Sequence, residues 1–127
     1  MAMQYNKTVL EHFQSPRNVG RMESADGFAE QVSEVCGDQM ALYLKVADDR
    51  ISDIKFLSLG CAASIASGSI LTEMVKGKSL EEAEKVTTQE VVDALGGLPE
   101  PKIHCSVLAA DCLRKAIADY RSRLSPQ

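Results

Sequence analysis

The sequence has no long hydrophobic run and no surplus of positive charge. Its most apolar stretch, residues 59–75, contains Glu73 and falls short of the roughly 20 apolar residues that a membrane-spanning helix needs. The formal net charge is −4 and the pI is about 5.2, whereas a protein that binds a phosphate backbone normally has a basic surface. Residues 1–13 show no signal-peptide pattern. We therefore expect a cytoplasmic protein with neither a membrane nor a nucleic acid as its partner.

The sequence motifs of several enzyme classes are also missing. There is no G-x-S-x-G nucleophile elbow and no H-E-x-x-H zinc motif, and the glycines form neither a P-loop nor a dinucleotide fingerprint. These absences argue against a hydrolase and against a nucleotide-driven enzyme. No two cysteines form a C-x-x-C pair, so cysteine spacing alone gives only weak support for a metal site.

The chain has 127 residues, of which 45% are hydrophobic and 25% are charged. That length can bury a hydrophobic core without disulfides, and that composition is typical of a globular protein. No internal repeat and no linker-like segment divides the sequence. We expect residues 1–127 to form a single domain.

Helical periodicity is found near both ends of the chain and in its middle. Apolar residues at helical spacing predict a short helix from Tyr5 to Gln14, which the following Ser-Pro pair ends. A second helix is predicted to begin at Cys61 and to end before Gly77. Short helices are predicted after Ser79, which forms a capping box with Glu82, and near residues 88–95. The prolines at positions 99 and 101 predict an extended segment, followed by a long C-terminal helix.

Between residues 29 and 59 the hydrophobic period changes from helical spacing to two. Alternating apolar residues from Met40 to Val46, and again at Ile54 and Phe56, predict two antiparallel strands joined by a turn at residues 47–50. A third strand is predicted near residues 30–35. The predicted fold class is therefore α+β, with a small three-stranded antiparallel sheet, helices packed on one face and a long C-terminal helix.

The cysteines are the best candidates for chemistry. In a cytosolic protein they are expected to be free thiols available for metal binding, sulfur chemistry or packing. Cys36, Cys61 and Cys105 lie at predicted element boundaries, and the last two begin helices whose dipoles favour the thiolate. Asp38 and His104 lie beside these cysteines and are further metal donors.

Several interpretations of these residues stay open at this point. Any one cysteine is more often a small buried apolar residue than a ligand, and Cys112, two helical turns after Cys105, is expected to serve that packing role. The same donors fit an iron-sulfur cluster or a closed tetrahedral zinc site. A sulfur-transfer protein that carries only a persulfide is a further alternative.

Four strings in the sequence occur together in a known family. They are SPRNVG at 15–20, CGD at 36–38, GCAASIAS at 60–67 and KIHCSVLA at 102–109. With these strings, the sequence resembles the IscU/NifU-type iron-sulfur cluster assembly scaffold family over nearly its whole length. The resemblance implies an IscU/SufE-like fold and a scaffold that assembles [2Fe-2S] or [4Fe-4S] clusters and transfers them to apoproteins. It implies an assembly scaffold and persulfide acceptor rather than a turnover enzyme.

The resemblance also implies roles for particular residues. Cys36, Cys61 and Cys105 match the thiolate ligands of the cluster, and either His104 or Asp38 would occupy the remaining position. Cys105 matches the persulfide acceptor. Asp38, as a harder oxygen ligand, would keep the cluster exchangeable. The cofactor is then a [2Fe-2S] cluster or its iron, and zinc is the alternative metal for the same donors.

Partners follow from the same resemblance. Sulfur would come from a pyridoxal-phosphate cysteine desulfurase of the IscS/NifS type, with an iron donor, an electron donor and recipient apoproteins as further partners, and a homodimer is left open. Lys102 matches a lysine that the family keeps near the site. The preceding segment, LPEP at 98–101, departs from the sequence that an Hsp70-type chaperone grips in many relatives, so a chaperone partner is not expected.

Overall fold

Three antiparallel strands form one sheet in the order β1-β2-β3. In the computed structural model, which describes residues 5–33 and 37–124, the strands are β1 (Gly27–Val32), β2 (Gln39–Ala47) and β3 (Arg50–Leu59). The β2–β3 hairpin turns at Asp48 and Asp49, whose φ angles of 53° and 62° are the positive values that a tight hairpin turn needs. The predicted three-stranded antiparallel sheet is confirmed.

The first strand begins earlier in the chain than the sequence predicts. It covers Gly27–Val32 rather than residues 30–35, and residues 34–36 lie outside the described part of the chain. Gly27 is typical of a loop, but here it allows the C-terminal helix to approach the strand closely. A Cβ atom at Gly27 would lie 2.6 Å from the carbonyl oxygen of Ala116.

The described residues form five α-helices. Their ends agree with the capping signals in the sequence: the Asn6 side chain caps the first helix, and Ser79 and Thr87 each form a capping box. The helix predicted to start near residue 88 is thus capped by Thr87. The helices are α1 (Lys7–Gln14), α2 (Ala62–Val75), α3 (Leu80–Glu84), α4 (Thr88–Ala94) and α5 (Ile103–Leu124).

The segment that leads into α5 is not extended, so that prediction is wrong. Residues Glu100–Lys102 form a 3-10 helix directly before α5. The ring of Pro101 fixes φ near a helical value, and a proline is tolerated in a first turn because its missing N–H has no partner there. The two prolines therefore shape the start of the helix.

The core lies between one face of the sheet and the helices α2 and α5. Leu42, Leu44, Ile54 and Phe56 on the sheet are buried against these helices. Helix α2 crosses β3 at Gly68, where a Cβ atom would lie 2.6 Å from the Phe56 ring. None of the helices in the described ranges is long and apolar enough to cross a membrane. This packing sets the first turns of α2 and α5 side by side.

Candidate metal and sulfur site

Two thiols and a carboxylate converge where α2 and α5 begin. The sulfur atoms of Cys61 and Cys105 are 3.7 Å apart. Asp38 Oδ2 lies 3.6 Å from the Cys61 sulfur and 3.9 Å from the Cys105 sulfur. One ligand atom from each of the three residues lies within 4.8 Å of the others. The residues come from three distant parts of the sequence, and the family resemblance, rather than their spacing, implied that they would meet.

The strand register explains why Asp38 and Cys61 are neighbours. Gln39 at the start of β2 pairs with Leu59 at the end of β3, so the residues just outside this pair lie at the same end of the sheet. Asp38 precedes β2 there, and Cys61 follows β3 as the N-cap residue of α2. Cys105 is the third residue of α5 and completes the group from the other helix.

Gly60 makes room for the Asp38 side chain. A Cβ atom built at Gly60 would lie 2.7 Å from Asp38 Cγ and 2.9 Å from Asp38 Oδ2. Real side chains essentially never approach so closely, because the repulsion at that distance is steep. Any residue larger than glycine at position 60 would therefore displace the carboxylate from the two thiols.

Ser64 contacts the same carboxylate and was not identified from the sequence. Its side chain is fully buried, and its hydroxyl donates a short hydrogen bond to Asp38 Oδ2. The Ser64 oxygen also lies 3.9 Å from the Cys61 sulfur. Residues three positions apart in the sequence share one face of a helix. The three-residue spacing between Cys61 and Ser64 is therefore the sequence signal that could have pointed to Ser64.

Burial dominates the ionisation of Cys105. It raises the pKa of the Cys105 thiol to about 12, the nearby Ser64 side chain opposes this rise, and the neighbouring Cys61 and Asp38 add to it. Burial thus opposes the thiolate that the start of α5 was expected to favour. A coordinating metal ion deprotonates a thiol outright, so metal binding at Cys105 would release a proton.

Lys102 and Tyr5 lie at the edge of the site. The pKa of Lys102 is raised, first by the charge of Cys61 and to a lesser extent by Tyr5, Cys105 and Asp38. The pKa of Tyr5 is raised by burial and then by Cys61. The Lys102 ammonium is thus close enough to interact with the thiols, as the family resemblance implies. Tyr5 was predicted only as a helix residue.

Two of the predicted ligands are not among the three residues that meet within 4.8 Å. His104 is the second residue of α5, but it lines a neighbouring cavity of about 340 Å³ together with Val32, Ser33 and Val107. Cys36 lies outside the described residues. Both assignments as ligands remain predictions from the sequence.

Cys112 lies on α5 away from this group. Its buried thiol is within hydrogen-bonding distance of two strand carbonyl oxygens, 3.6 Å from that of Ala29 and 3.5 Å from that of Met40. Burial raises its pKa to about 12. These contacts agree with the packing role expected for Cys112.

The fold and the site together define a class of protein. An α+β domain with two thiols and a carboxylate gathered at helix starts presents the soft donors that bind zinc or iron-sulfur clusters. The profile of the NifU-like N-terminal domain family matches residues 4–126, and the chain therefore belongs to this family. The resemblance noted in the sequence is confirmed.

Curated relatives and solved structures agree with this membership. The chain is 59% identical over 116 residues to iron-sulfur cluster assembly scaffold protein IscU 1 of Archaeoglobus fulgidus, covering 91% of this chain and 76% of the relative. It is 44% identical over 125 residues to the IscU scaffold protein of Escherichia coli, covering 95% and 97%. The N-terminal part of a NifU-like protein from Brucella abortus has the same fold, with a TM-score of 0.74, 21% identity and coverage of 93% and 94%.

Proposed function

We propose that this chain is a scaffold on which a [2Fe-2S] cluster is assembled and from which the cluster passes to recipient proteins. The observation that carries the proposal is the meeting of Asp38, Cys61 and Cys105 within 4.8 Å. Membership of a family whose curated members are iron-sulfur cluster assembly scaffolds supports it. The protein acts as an assembly scaffold rather than as a turnover enzyme.

Cys61 and Cys105 supply thiolate ligands to the iron, and Cys36 is the third thiolate. Either Asp38, through a carboxylate oxygen, or His104, through a ring nitrogen, takes the one remaining position on the two irons. Thiolates favour iron-sulfur clusters, whereas a carboxylate is a harder and weaker partner for them. Asp38 therefore gives the cluster an exchangeable position, which a scaffold needs because it must release what it assembles.

Sulfur reaches the site as a persulfide on Cys105. The Cys105 sulfur attacks the outer sulfur of a desulfurase persulfide, so a new S–S bond forms on Cys105 while the S–S bond on the desulfurase breaks. Because the pKa of Cys105 is raised to about 12, the thiol gives up its proton as it attacks, and the departing desulfurase thiolate takes that proton up. An electron donor then supplies two electrons for each sulfur, which yields sulfide for the cluster and restores the Cys105 thiolate. An iron donor completes the set of partners.

A zinc-binding persulfide acceptor is the second candidate function. The group of three donor atoms is small enough to hold a single ion, and two thiolates with a carboxylate are normal zinc ligands. In that case the site would carry zinc and pass on sulfur, but it would assemble no cluster.

Anaerobic reconstitution separates the two functions. The protein is incubated with ferrous iron, cysteine, a cysteine desulfurase and a reductant, and its visible absorption, iron and acid-labile sulfide are measured. We expect cluster absorption with equal amounts of iron and sulfide, and transfer of the cluster to an added apoferredoxin. A colourless protein that binds only zinc and carries persulfide would refute the scaffold function.

The remaining assignments are also proposals. We infer a single domain over residues 1–127 and a cytoplasmic location. Glu100 begins the 3-10 helix before α5, in the segment where the family resemblance would place a chaperone-binding sequence that residues 98–101 do not match. We therefore expect cluster release to proceed without such a chaperone.

A further inference from the structure

Ser64 is placed to control the carboxylate that faces both thiols. Asp38 Oδ2 is the oxygen that lies 3.6 Å from the Cys61 sulfur and 3.9 Å from the Cys105 sulfur, and the same oxygen accepts the Ser64 hydrogen bond. A serine hydroxyl has one proton, and an ionised carboxylate only accepts hydrogen bonds. The proton of Ser64 is therefore committed to Asp38.

The Asp38 side chain is held from two sides. The Asp38 side chain fills the space that a Cβ atom at Gly60 would occupy, and the Ser64 hydroxyl fixes Oδ2. Ser64 is 0% exposed, so water does not replace its hydrogen bond in the folded protein. A hydrogen bond to a charged group is stronger than a neutral one, and a buried one is expensive to leave unmade.

We infer that Ser64 is a positioning residue that holds Asp38 Oδ2 between the two thiols and so makes this oxygen available as a metal ligand. The inference rests on the proposed function, since it assigns the residue that orients one of the proposed ligands. Residues that orient a ligand without touching the metal typically change metal affinity by about 10- to 100-fold when they are replaced.

Cobalt(II) binding tests this inference without requiring a cluster. Thiolate–cobalt complexes absorb in the visible and near-ultraviolet, and the bands shift when an oxygen ligand is lost. We expect Ser64→Ala to weaken cobalt binding by roughly tenfold or more and to shift the spectrum in the same direction as Asp38→Ala. Alanine is the best helix former, so the variant is expected to fold, which a thermal melt checks.

Ser67→Ala is the matched control. Ser67 is equally buried on the next turn of α2, but its hydroxyl pairs with that of Ser106 at 3.0 Å and does not contact Asp38. We expect this variant to bind cobalt like the wild type. A loss of affinity in Ser67→Ala equal to that in Ser64→Ala would point to a general effect on α2 packing and would overturn the inference.

The double variant distinguishes positioning from a direct role. If Ser64 acts through Asp38, replacing Ser64 in an Asp38→Ala background should change cobalt affinity no further. An additional loss in that background, wild-type affinity in Ser64→Ala, or a wild-type chain that binds no cobalt would each overturn the inference. Failure of cluster reconstitution in the wild type, with the cobalt results as expected, would instead overturn only the proposed function.

Discussion

Cys105 and Cys112 lie two turns apart on α5, and their surroundings differ more than their burial does. Both thiols are fully buried, and burial raises the pKa of each to about 12. Cys105 faces the sulfur of Cys61 at 3.7 Å and the carboxylate of Asp38 at 3.9 Å. Cys112 faces two backbone carbonyl oxygens of the sheet.

The comparison shows that burial alone does not separate a ligand from a packing residue. Backbone carbonyls that already take part in a sheet cannot rearrange around a metal, whereas side-chain sulfur and oxygen atoms can. A ligand cysteine is thus distinguished from a packing cysteine by the number of side-chain donor atoms close to its sulfur. Four variants or pairs of variants test this conclusion.

Replacing the two cysteines separately gives the largest expected difference. We expect Cys105→Ser to abolish cluster absorption after anaerobic reconstitution, because it removes both a ligand and the persulfide acceptor. Cys112→Ala should still form the cluster and should lose only about 1 kcal/mol of unfolding free energy from the small cavity. Visible spectra and urea unfolding curves measure the two effects. Loss of the cluster in Cys112→Ala with an intact fold would break the comparison.

Two glycines test the same contrast through the backbone. Gly60→Ala would push its Cβ atom into Asp38, and Gly68→Ala would push its Cβ atom into the Phe56 ring, at 2.7 and 2.6 Å respectively. We expect Gly60→Ala to weaken cobalt binding strongly with little change in stability. Gly68→Ala should leave cobalt binding intact but lower the unfolding free energy by about 1–3 kcal/mol, the usual effect of overpacking a core.

Titration with cobalt and urea unfolding of both glycine variants provide the measurements. Each variant serves as the control for the other, since both add one methyl group at a crowded glycine. If Gly60→Ala were destabilised as much as Gly68→Ala while binding cobalt normally, the close contact between Gly60 and Asp38 would have no role in the site.

Asp38→Ala should have a smaller effect, on the lifetime of the cluster. The carboxylate is the hardest of the proposed ligands, so its loss should leave a cluster that persists several-fold longer after reconstitution. The decay of visible absorption in air measures the lifetime, with Asp53→Ala as a control because Asp53 lies on β3 and pairs with Lys76 at 3.3 Å. Equal or faster decay in Asp38→Ala would contradict the role assigned to Asp38.

The sequence predicts most of this architecture because its local signals are strong. The alternation from Met40 to Val46, the turn at residues 47–50 and the helix predicted to begin at Cys61 each depend on neighbouring residues. Each is found, with the helix starting one residue later because Cys61 is its N-cap. The early start of β1 could not be predicted, because the glycine at its first position is explained only by the approach of α5.

The sequence singles out the three residues that meet at the site, but it does not single out the serine that contacts them. Cys61, Cys105 and Asp38 are recognisable as soft and hard donors at element boundaries, and family strings surround them. Ser64 lies among small residues of α2, and its spacing of three residues from Cys61 is its one local signal. Its importance appears only when the register of β2 and β3 sets Asp38 beside the first turn of α2.

His12 extends the comparison to a buried base and gives the smallest expected effect. Its Nδ1 atom lies 2.7 Å from the Ser69 hydroxyl oxygen. Burial lowers the pKa of His12, Arg17 adds to this, and the carboxylates of Glu73 and Glu11 oppose it. Like Cys112, it is a titratable group with a packing role.

A lowered pKa in the folded state makes stability depend on pH in one direction. The unfolded chain binds the His12 proton more readily, so the unfolding free energy should be highest above the ordinary histidine pKa of about 6.5 and should fall as the pH drops through the lower, folded value. Urea unfolding between about pH 7.5 and 5.5 should show a small loss in the wild type and a flatter profile in His12→Gln. If the stability profiles of the wild type and His12→Gln were parallel, folding would leave the pKa of His12 unchanged. The polar contacts of His12 would then offset the effect of its burial.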